Sequence, residues 1–313
     1  MTEQDGDFMN DIAVIGSGPA GLSAVLYAVR AGLDTVLIDT DFLGGSQASY
    51  SEKVDNYLGI PEINGFELME KFREHLSGKP YKQIESAVVE IKKADNEFII
   101  TLENAEVIKS KTIIYAAGAF HRKLHIAGEN ELSGRGVSYC AVCDGDYFEG
   151  KKAVVVGGGD TAVDSAVYLS QICSEVYLVH RRKEFRANIV SLNKLRSLLN
   201  VTVMTDAVPV SINGEKSVES ITLKNTVTEE ETVIHTDSVF VSIGMVPKSS
   251  VISTLVEIDQ SGYIAAGEDG VTSLPGFFAA GDVRTKPLRQ VVTAVSDGAV
   301  CVSSVLDYIS KNF

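Results

Sequence analysis

Two short glycine-rich turns at matching positions constrain this chain more than anything else in it. The first, Gly16-Ser17-Gly18-Pro19-Ala20-Gly21, follows the apolar run 11–15 and leads into a stretch of helical composition, 22–31. Strand, tight turn and helix in that order suit a dinucleotide. Gly16 and Gly18 let the backbone turn sharply and approach a pyrophosphate, Gly21 lets helix and strand pack closely, and the helix start offers free N–H groups to the anion. The second turn, Gly157-Gly158-Gly159-Asp160-Thr161-Ala162, follows the apolar run 153–156 and leads into another helical stretch, expected to reach Cys173.

What comes after each turn separates the two. A strand at 35–38 ends in Asp39, and a strand at 176–179 ends in His180-Arg181-Arg182. Gly16 and Gly157 are 141 positions apart, and so are Asp39 and His180. An acid at that place accepts hydrogen bonds from a ribose 2'-hydroxyl and repels a 2'-phosphate, whereas paired guanidiniums bind a phosphate through charge-assisted bonds. The first unit therefore reads as a site for FAD or NAD, and the second as a site for NADPH. The competing reading of the second is a solvated basic face. Arg186, four residues after Arg182, can face the same way if a short helix carries both.

Just ahead of the second turn lies Cys140-Ala141-Val142-Cys143-Asp144. Two cysteines so spaced can close a small disulfide ring or hold half a metal site, and the acid can supply a proton or cap a turn. Zinc wants four ligands, yet there is no second such pair, and His121 and His125 lack convincing spacing. The other cysteines, Cys173 and Cys301, sit in apolar stretches of helical pattern and read as core residues.

The remaining segments supply a scaffold. Residues 44–47 and 54–59 are polar and glycine-rich, expected as loops, and 65–76 reads as an amphipathic helix. Segments 87–91, 97–102 and 111–116 read as strands, the last running into Ala116-Ala117-Gly118, a small-residue tail suited to close approach by a cofactor or to a plain turn. Residues 201–241 suit a meander of short strands, 243–247 a linker, and 276–282 a strand ending in Gly281-Asp282, an acid that could meet a cofactor hydroxyl or cap a turn. A long, largely apolar helix is expected over 288–309. With 45% apolar residues among 313, the chain can build two cores. A polar, acidic start and no unbroken apolar run of membrane length lead to the expectation of a cytoplasmic protein with neither membrane segment nor secretory signal. The net charge of -14 argues against a nucleic-acid partner.

Taken together, Gly16 to Gly21, Cys140-Ala-Val-Cys143-Asp144, Gly157 to Ala162, His180-Arg-Arg182 with Arg186, and Gly281-Asp282-Val283 followed by Arg289-Gln290 resemble the low-molecular-weight, bacterial-type thioredoxin reductases. The likeness runs in order over nearly the whole chain. It implies an α/β fold of two Rossmann-like domains: a discontinuous FAD domain from residues 1–117 and 248–313, and an NADPH domain, 118–247, inserted between them and carrying the redox pair. It further implies a homodimer, a swivel between domains, and thioredoxin or a similar protein as partner. By the same likeness Cys143 faces the flavin, Cys140 attacks the partner's disulfide and Asp144 is the proton donor. Asp282, Arg289 and Gln290 would hold the flavin, with Gly45, Gln47, Asn56, Ala117 and Gly118 as further contacts. Two places depart from the family pattern: Ser46 interrupts a usual Gly-Gly-Gln, and Asp160 replaces an asparagine after the three glycines. A related flavin reductase serving ferredoxin, flavodoxin or a peroxidase-type partner is the alternative. Such one-electron acceptors leave the CxxC without a role.

Overall fold

The computed structural model describes residues 9–42, 47–51 and 54–313. The chain divides into two compact units, one comprising Met1–Tyr50, Tyr57–Phe120 and Val246–Phe313, the other Ser51–Asn56 and His121–Met245.

In the first unit the strand Met9–Ile15 lies between Thr35–Asp39 and Val107–Tyr115, parallel to both, with Ile15 opposite Ile38 on one side and Tyr115 on the other. Lys82–Glu85 extends the sheet beside Thr35–Asp39, and Phe277–Ala279 joins Val107–Tyr115, again in parallel. Beyond Val107–Tyr115 the direction reverses into the antiparallel strands Glu97–Leu102 and Val88–Ala94. Strands buried on both faces have to be apolar throughout, and Ile12, Ala13 and Val14 are wholly buried. One face carries the helix Pro19–Arg30, whose Ala20, Leu22, Ala24, Val25 and Ala28 recur at helical spacing and are buried. The C-terminal helix Val291–Asn312 packs on it, with Ser23 Oγ donating to Val295 O at 2.7 Å. Among the described residues this C-terminal helix has the length and apolar composition to cross a membrane. In this fold its inner face instead joins the core through Cys301, Val302 and Val305.

The second unit has a wholly parallel sheet in the order Val201–Met204, Glu175–Val179, Lys152–Val156, Ser238–Val241, Val137–Ser138. A three-stranded antiparallel sheet, Ala207–Asn213, Ser220–Asn225 and Glu231–His235, makes up the middle of the expected meander, whose first and last strands, Val201–Met204 and Ser238–Val241, pair into the parallel sheet instead. Its helix Asp160–Leu169 is shorter than the sequence pattern suggests. The chain turns after Leu169, the N–H of Cys173 donating back to Leu169 O at 2.7 Å, because it must come round to enter the strand at Glu175. Cys173 is nonetheless buried, as is Cys301.

The expected linker near 243–247 is also more ordered than its composition indicates. Met245–Pro247 is a strand paired with Ala119–His121, so the two places where the chain passes between units form one ribbon. The Lys248 N–H donates to Gly118 O at 3.0 Å, and the Arg122 N–H to Gly244 O at 2.9 Å.

Candidate active site

Cys140 and Cys143 are joined by a disulfide, with Cα atoms 5.3 Å apart. The local backbone makes this possible. Cys140 is the extended N-cap of a single helical turn, Ala141–Asp144, and one turn brings residue 143 back beneath residue 140. The Cys143 N–H donates to Cys140 Sγ at 3.2 Å. Both cysteines are half-buried, and Val142 between them is exposed, so the pair lies at the surface of its unit. Asp144 closes the turn through its N–H to Cys140 O at 3.1 Å. Its Oδ2 accepts from the hydroxyl of Ser138 at 2.6 Å, and that hydroxyl in turn accepts from the Cys140 N–H at 3.1 Å. Ser138 thus ties the acid to the first cysteine. Nothing in the sequence marks it, since a serine two residues ahead of a cysteine pair has no periodicity or motif of its own.

The two glycine turns are closed by the same main-chain hydrogen bond. Gly16 N–H donates to Ile38 O at 2.8 Å and Gly157 N–H to Val179 O at 3.0 Å, again 141 positions apart at both ends. A Cβ at Gly16 would lie 2.4 Å from Ala116 O, and one at Gly157 would lie 2.3 Å from Ser242 O, so a neighbouring strand end closes on each turn. Gly21 and Ala20 are buried behind the first turn and Ala162 behind the second, while Thr161 is exposed. Gly18 and Gly159 are the N-caps of the two helices, and neither receives a side-chain cap, with Pro19 at the first helical position of one. Main-chain N–H groups therefore stand at both helix starts, where an anion is favoured.

The units differ at the position after the strand. Asp39 Oδ2 accepts from the N–H of Ser17 at 2.5 Å and from its hydroxyl at 2.7 Å, and its Oδ1 accepts from the Thr40 N–H at 2.7 Å, so the half-buried acid braces the turn. His180, its counterpart, is buried, and its ring lies where a Cβ on Gly158 would have to be, 2.1 Å away. Its Nε2 is 3.1 Å from Glu184 O, and its ring faces Phe185 at 4.8 Å. Burial lowers its pKa, with the charges of Arg181, Arg186 and Arg182 adding to the effect against the Glu184 carbonyl. Arg181, Arg182, Lys183 and Arg186 are all exposed cations. Arg186 is not on a helix with Arg182: residues 181–188 are irregular and the helix Ile189–Arg196 begins only after them. The reason is that the Arg186 N–H donates to Gly158 O at 2.9 Å, which folds the segment back over the glycine turn. The exposed Asp160 accepts from the N–H and amide of Asn188 at 2.8 and 3.1 Å, so its carboxylate secures the start of that next helix.

In the first unit, Asp282 lies in a short turn, Gly281–Val283, and Arg289 lies over the ring of Tyr263 at 4.1 Å. Burial raises the Asp282 pKa, against the charges of Lys286 and Arg289. Asp282 Oδ1 and Arg289 Nε are both buried and have no hydrogen-bond partner among the described residues. An acceptor and a donor left without partners next to a glycine turn fit a ligand that carries hydroxyl and carbonyl groups, as a flavin dinucleotide does. Gln290 caps the C-terminal helix in a reciprocal pair with Thr293. The turn is anchored from behind by Asp297, which accepts from Gly281 N–H, from Arg284 at 2.9 and 2.8 Å, and from Lys286 Nζ at 2.8 Å. Of the other candidates, Ala117 is half-buried and Gly118, at φ 71°, lies between the strands Val107–Tyr115 and Ala119–His121, its carbonyl accepting from the Lys248 N–H. Gln47 is exposed in the turn Gln47–Tyr50, and Asn56 is exposed and groups with the second unit. Gly45 lies outside the described residues, together with Gly44 and Ser46.

Two Rossmann-like units, each with its glycine turn, and a closed cysteine pair in one of them define a nucleotide-dependent disulfide oxidoreductase fold. The model of the pyridine nucleotide-disulphide oxidoreductase family matches residues 10–298, and the chain belongs to that family. Over 304 residues it is 41% identical to thioredoxin reductase from Listeria innocua, covering 96% of this chain and 94% of that one. It is equally close, at 41% over 306 residues, to thioredoxin reductase from Bacillus subtilis, covering 96% and 95%. The crystal structure of thioredoxin reductase from Streptococcus pyogenes superposes with a TM-score of 0.90 at 38% identity, covering 97% and 99%.

Proposed function

We propose that this chain reduces the disulfide of thioredoxin, or of a thioredoxin-like protein, at the expense of NADPH. The observation that carries this is the Cys140–Cys143 disulfide, set with Asp144 in the same unit as the basic nucleotide turn. Bound FAD would supply the chemistry the side chains lack, accepting a hydride and releasing two electrons. Asp282, Arg289, Gln290 and the turn at Gly16 to Gly21 would hold it, and residues 1–117 and 248–313 form its domain. Residues 118–247 form the NADPH domain, where Arg181, Arg182 and Arg186 meet the 2'-phosphate and His180 keeps the turn in shape. Two electrons break the Cys140–Cys143 bond to give two sulfurs, one a thiolate and one protonated from Asp144. The Cys140 thiolate attacks the partner's disulfide, forming a mixed disulfide and releasing one partner thiolate. Cys143, passing its proton to the released partner thiolate, then displaces the second partner sulfur and closes the ring again. The working unit is a homodimer in the cytoplasm.

A steady-state assay with NADPH tests the reading: thioredoxin should be reduced and ferredoxin should not, and the reverse result removes it. Alanine at both Arg181 and Arg182 removes charge-assisted bonds of about 1.5 to 3 kcal/mol each, which lowers NADPH affinity roughly a hundred- to ten-thousandfold. NADH affinity should barely change. Equal losses for both nucleotides would show that these arginines do not read the phosphate. Ser138→Ala takes one hydrogen bond from the Asp144 carboxylate, so dithiol turnover should slow about ten- to a hundredfold. A serine that merely fills space would leave the rate where it was.

A further inference from the structure

Glu129 is the side chain in the second unit whose burial most needs a reason. It is 0% exposed, and among the described residues no lysine or arginine pairs with it. A buried carboxylate without a cation has to be held by hydrogen-bond donors instead. There are three. The N–H of Leu124 donates to Oε1 at 2.9 Å, the N–H of His125 to Oε2 at 2.7 Å, and the hydroxyl of Tyr139 to Oε1 at 3.0 Å. The first two fix the chain just after the crossing strand Ala119–His121, where His125 sits in a left-handed conformation at φ 58°. The third reaches the residue directly before Cys140.

Tyr139 is held a second time. Its ring stacks on His121, with centroids 5.3 Å apart and planes at 23°. Burial and the adjacent Glu129 charge raise the phenol's pKa, so it stays a donor. Ser138 meanwhile bonds Asp144 on the other side, as alternating residues at a strand end do. The two residues ahead of Cys140 are therefore tied in different directions, one to the acid and one to the segment 121–129. None of this is needed to close the disulfide ring, which residues 140–143 achieve by themselves.

We propose that Glu129 and Tyr139 are positioning residues for Cys140, locking its backbone to the segment 121–129 so that its sulfur meets the partner's disulfide in one orientation. The proposal rests on the disulfide-reductase reading given above. Thiol–disulfide exchange needs the attacking sulfur in line with the bond it breaks, and a displacement of about 1 Å can cost about a hundredfold in rate.

The test uses the full-length, FAD-loaded protein with Tyr139→Phe and Glu129→Gln. Tyr139→Phe removes one oxygen and keeps the stack on His121, so it isolates the clamp. The expected result is a fall of about ten- to a hundredfold in kcat/KM for thioredoxin, with the rate of flavin reduction by NADPH unchanged. A second readout needs no partner protein. The dithiol form is treated with iodoacetamide, and the ratio of alkylation at Cys140 and Cys143 is read by mass spectrometry. The wild-type preference should collapse in Tyr139→Phe and Glu129→Gln. An unchanged alkylation ratio overturns the proposal, and so does a parallel loss in both half-reactions, which would mark a general structural role. If the wild-type protein fails to reduce thioredoxin at all, the functional reading falls, and the alkylation ratio alone then decides the clamp.

Discussion

Cys143→Ser abolishes the reduction of thioredoxin by NADPH while leaving the flavin in place. The reason is stoichiometric: without the second sulfur there is no S–S bond to accept two electrons, and serine oxygen cannot form one. The proposed flavin contacts lie elsewhere, in the turn Gly281–Val283 and around Gly16, so the variant should still purify yellow and still be bleached by NADPH. The turn Ala141–Asp144 is held by main-chain bonds that survive the change, such as Asp144 N–H to Cys140 O. Absorbance spectra and a thioredoxin assay on the same preparation decide the matter. Turnover at the wild-type rate would take Cys143 out of the mechanism.

Asp297→Asn is expected to cost about 3 to 5 kcal/mol of stability, the penalty for breaking a buried ion pair and leaving charge behind. Asp297 answers two cations: the Arg284 side chain is 2% exposed and that of Lys286 is 3% exposed. An asparagine keeps the shape and can still accept from the Gly281 N–H, but it removes the anion that both cations face. Because that N–H positions the turn bearing Asp282, flavin retention should fall along with stability. Thermal unfolding and the flavin content after dialysis measure the two effects. A melting temperature within a degree or two of the parent would show that the cluster contributes little. The pH dependence follows from the sign of the shift. Burial alone would raise the Asp297 pKa, but hydrogen bonds from Arg284 and Lys286 outweigh it and hold the carboxyl below the ordinary carboxylate range. A depressed folded-state pKa means that this stability is fully present above the unfolded value of about 3.9 and is lost as pH falls through the folded value. Acid unfolding of the parent should therefore show a component below about pH 4 that Asp297→Asn lacks.

Much of the architecture is legible in the sequence. The strands ending at Ile15, Asp39, Val156 and Val179 are where the apolar runs place them, and the helix Gly65–Leu76 has the expected bounds. These elements are written locally, in runs of β-branched residues and in helical periodicity, with glycine and proline at their ends. Where local pattern misled, a distant contact was responsible. Arg186 looks helical by spacing, but its N–H is taken by Gly158 across 28 positions. Residues 243–247 look like a linker because their partner strand, Ala119–His121, is far away in sequence.

The two glycine turns, the contrast between Asp39 and His180-Arg181-Arg182, and the Cys140–Cys143 spacing are all legible in the order of the residues. Each of these depends on residues within one strand, turn and helix, so their order along the chain carries the chemistry. The groups that stand behind them are set by packing: Ser138 on Asp144, Glu129 on Tyr139, the His180 ring against Gly158, and Asp297 between Arg284 and Lys286. A serine, a glutamate or an aspartate has many possible partners in a chain of 313 residues. Burial and hydrogen-bond geometry choose among them, and both exist only after the sheets have formed and packed.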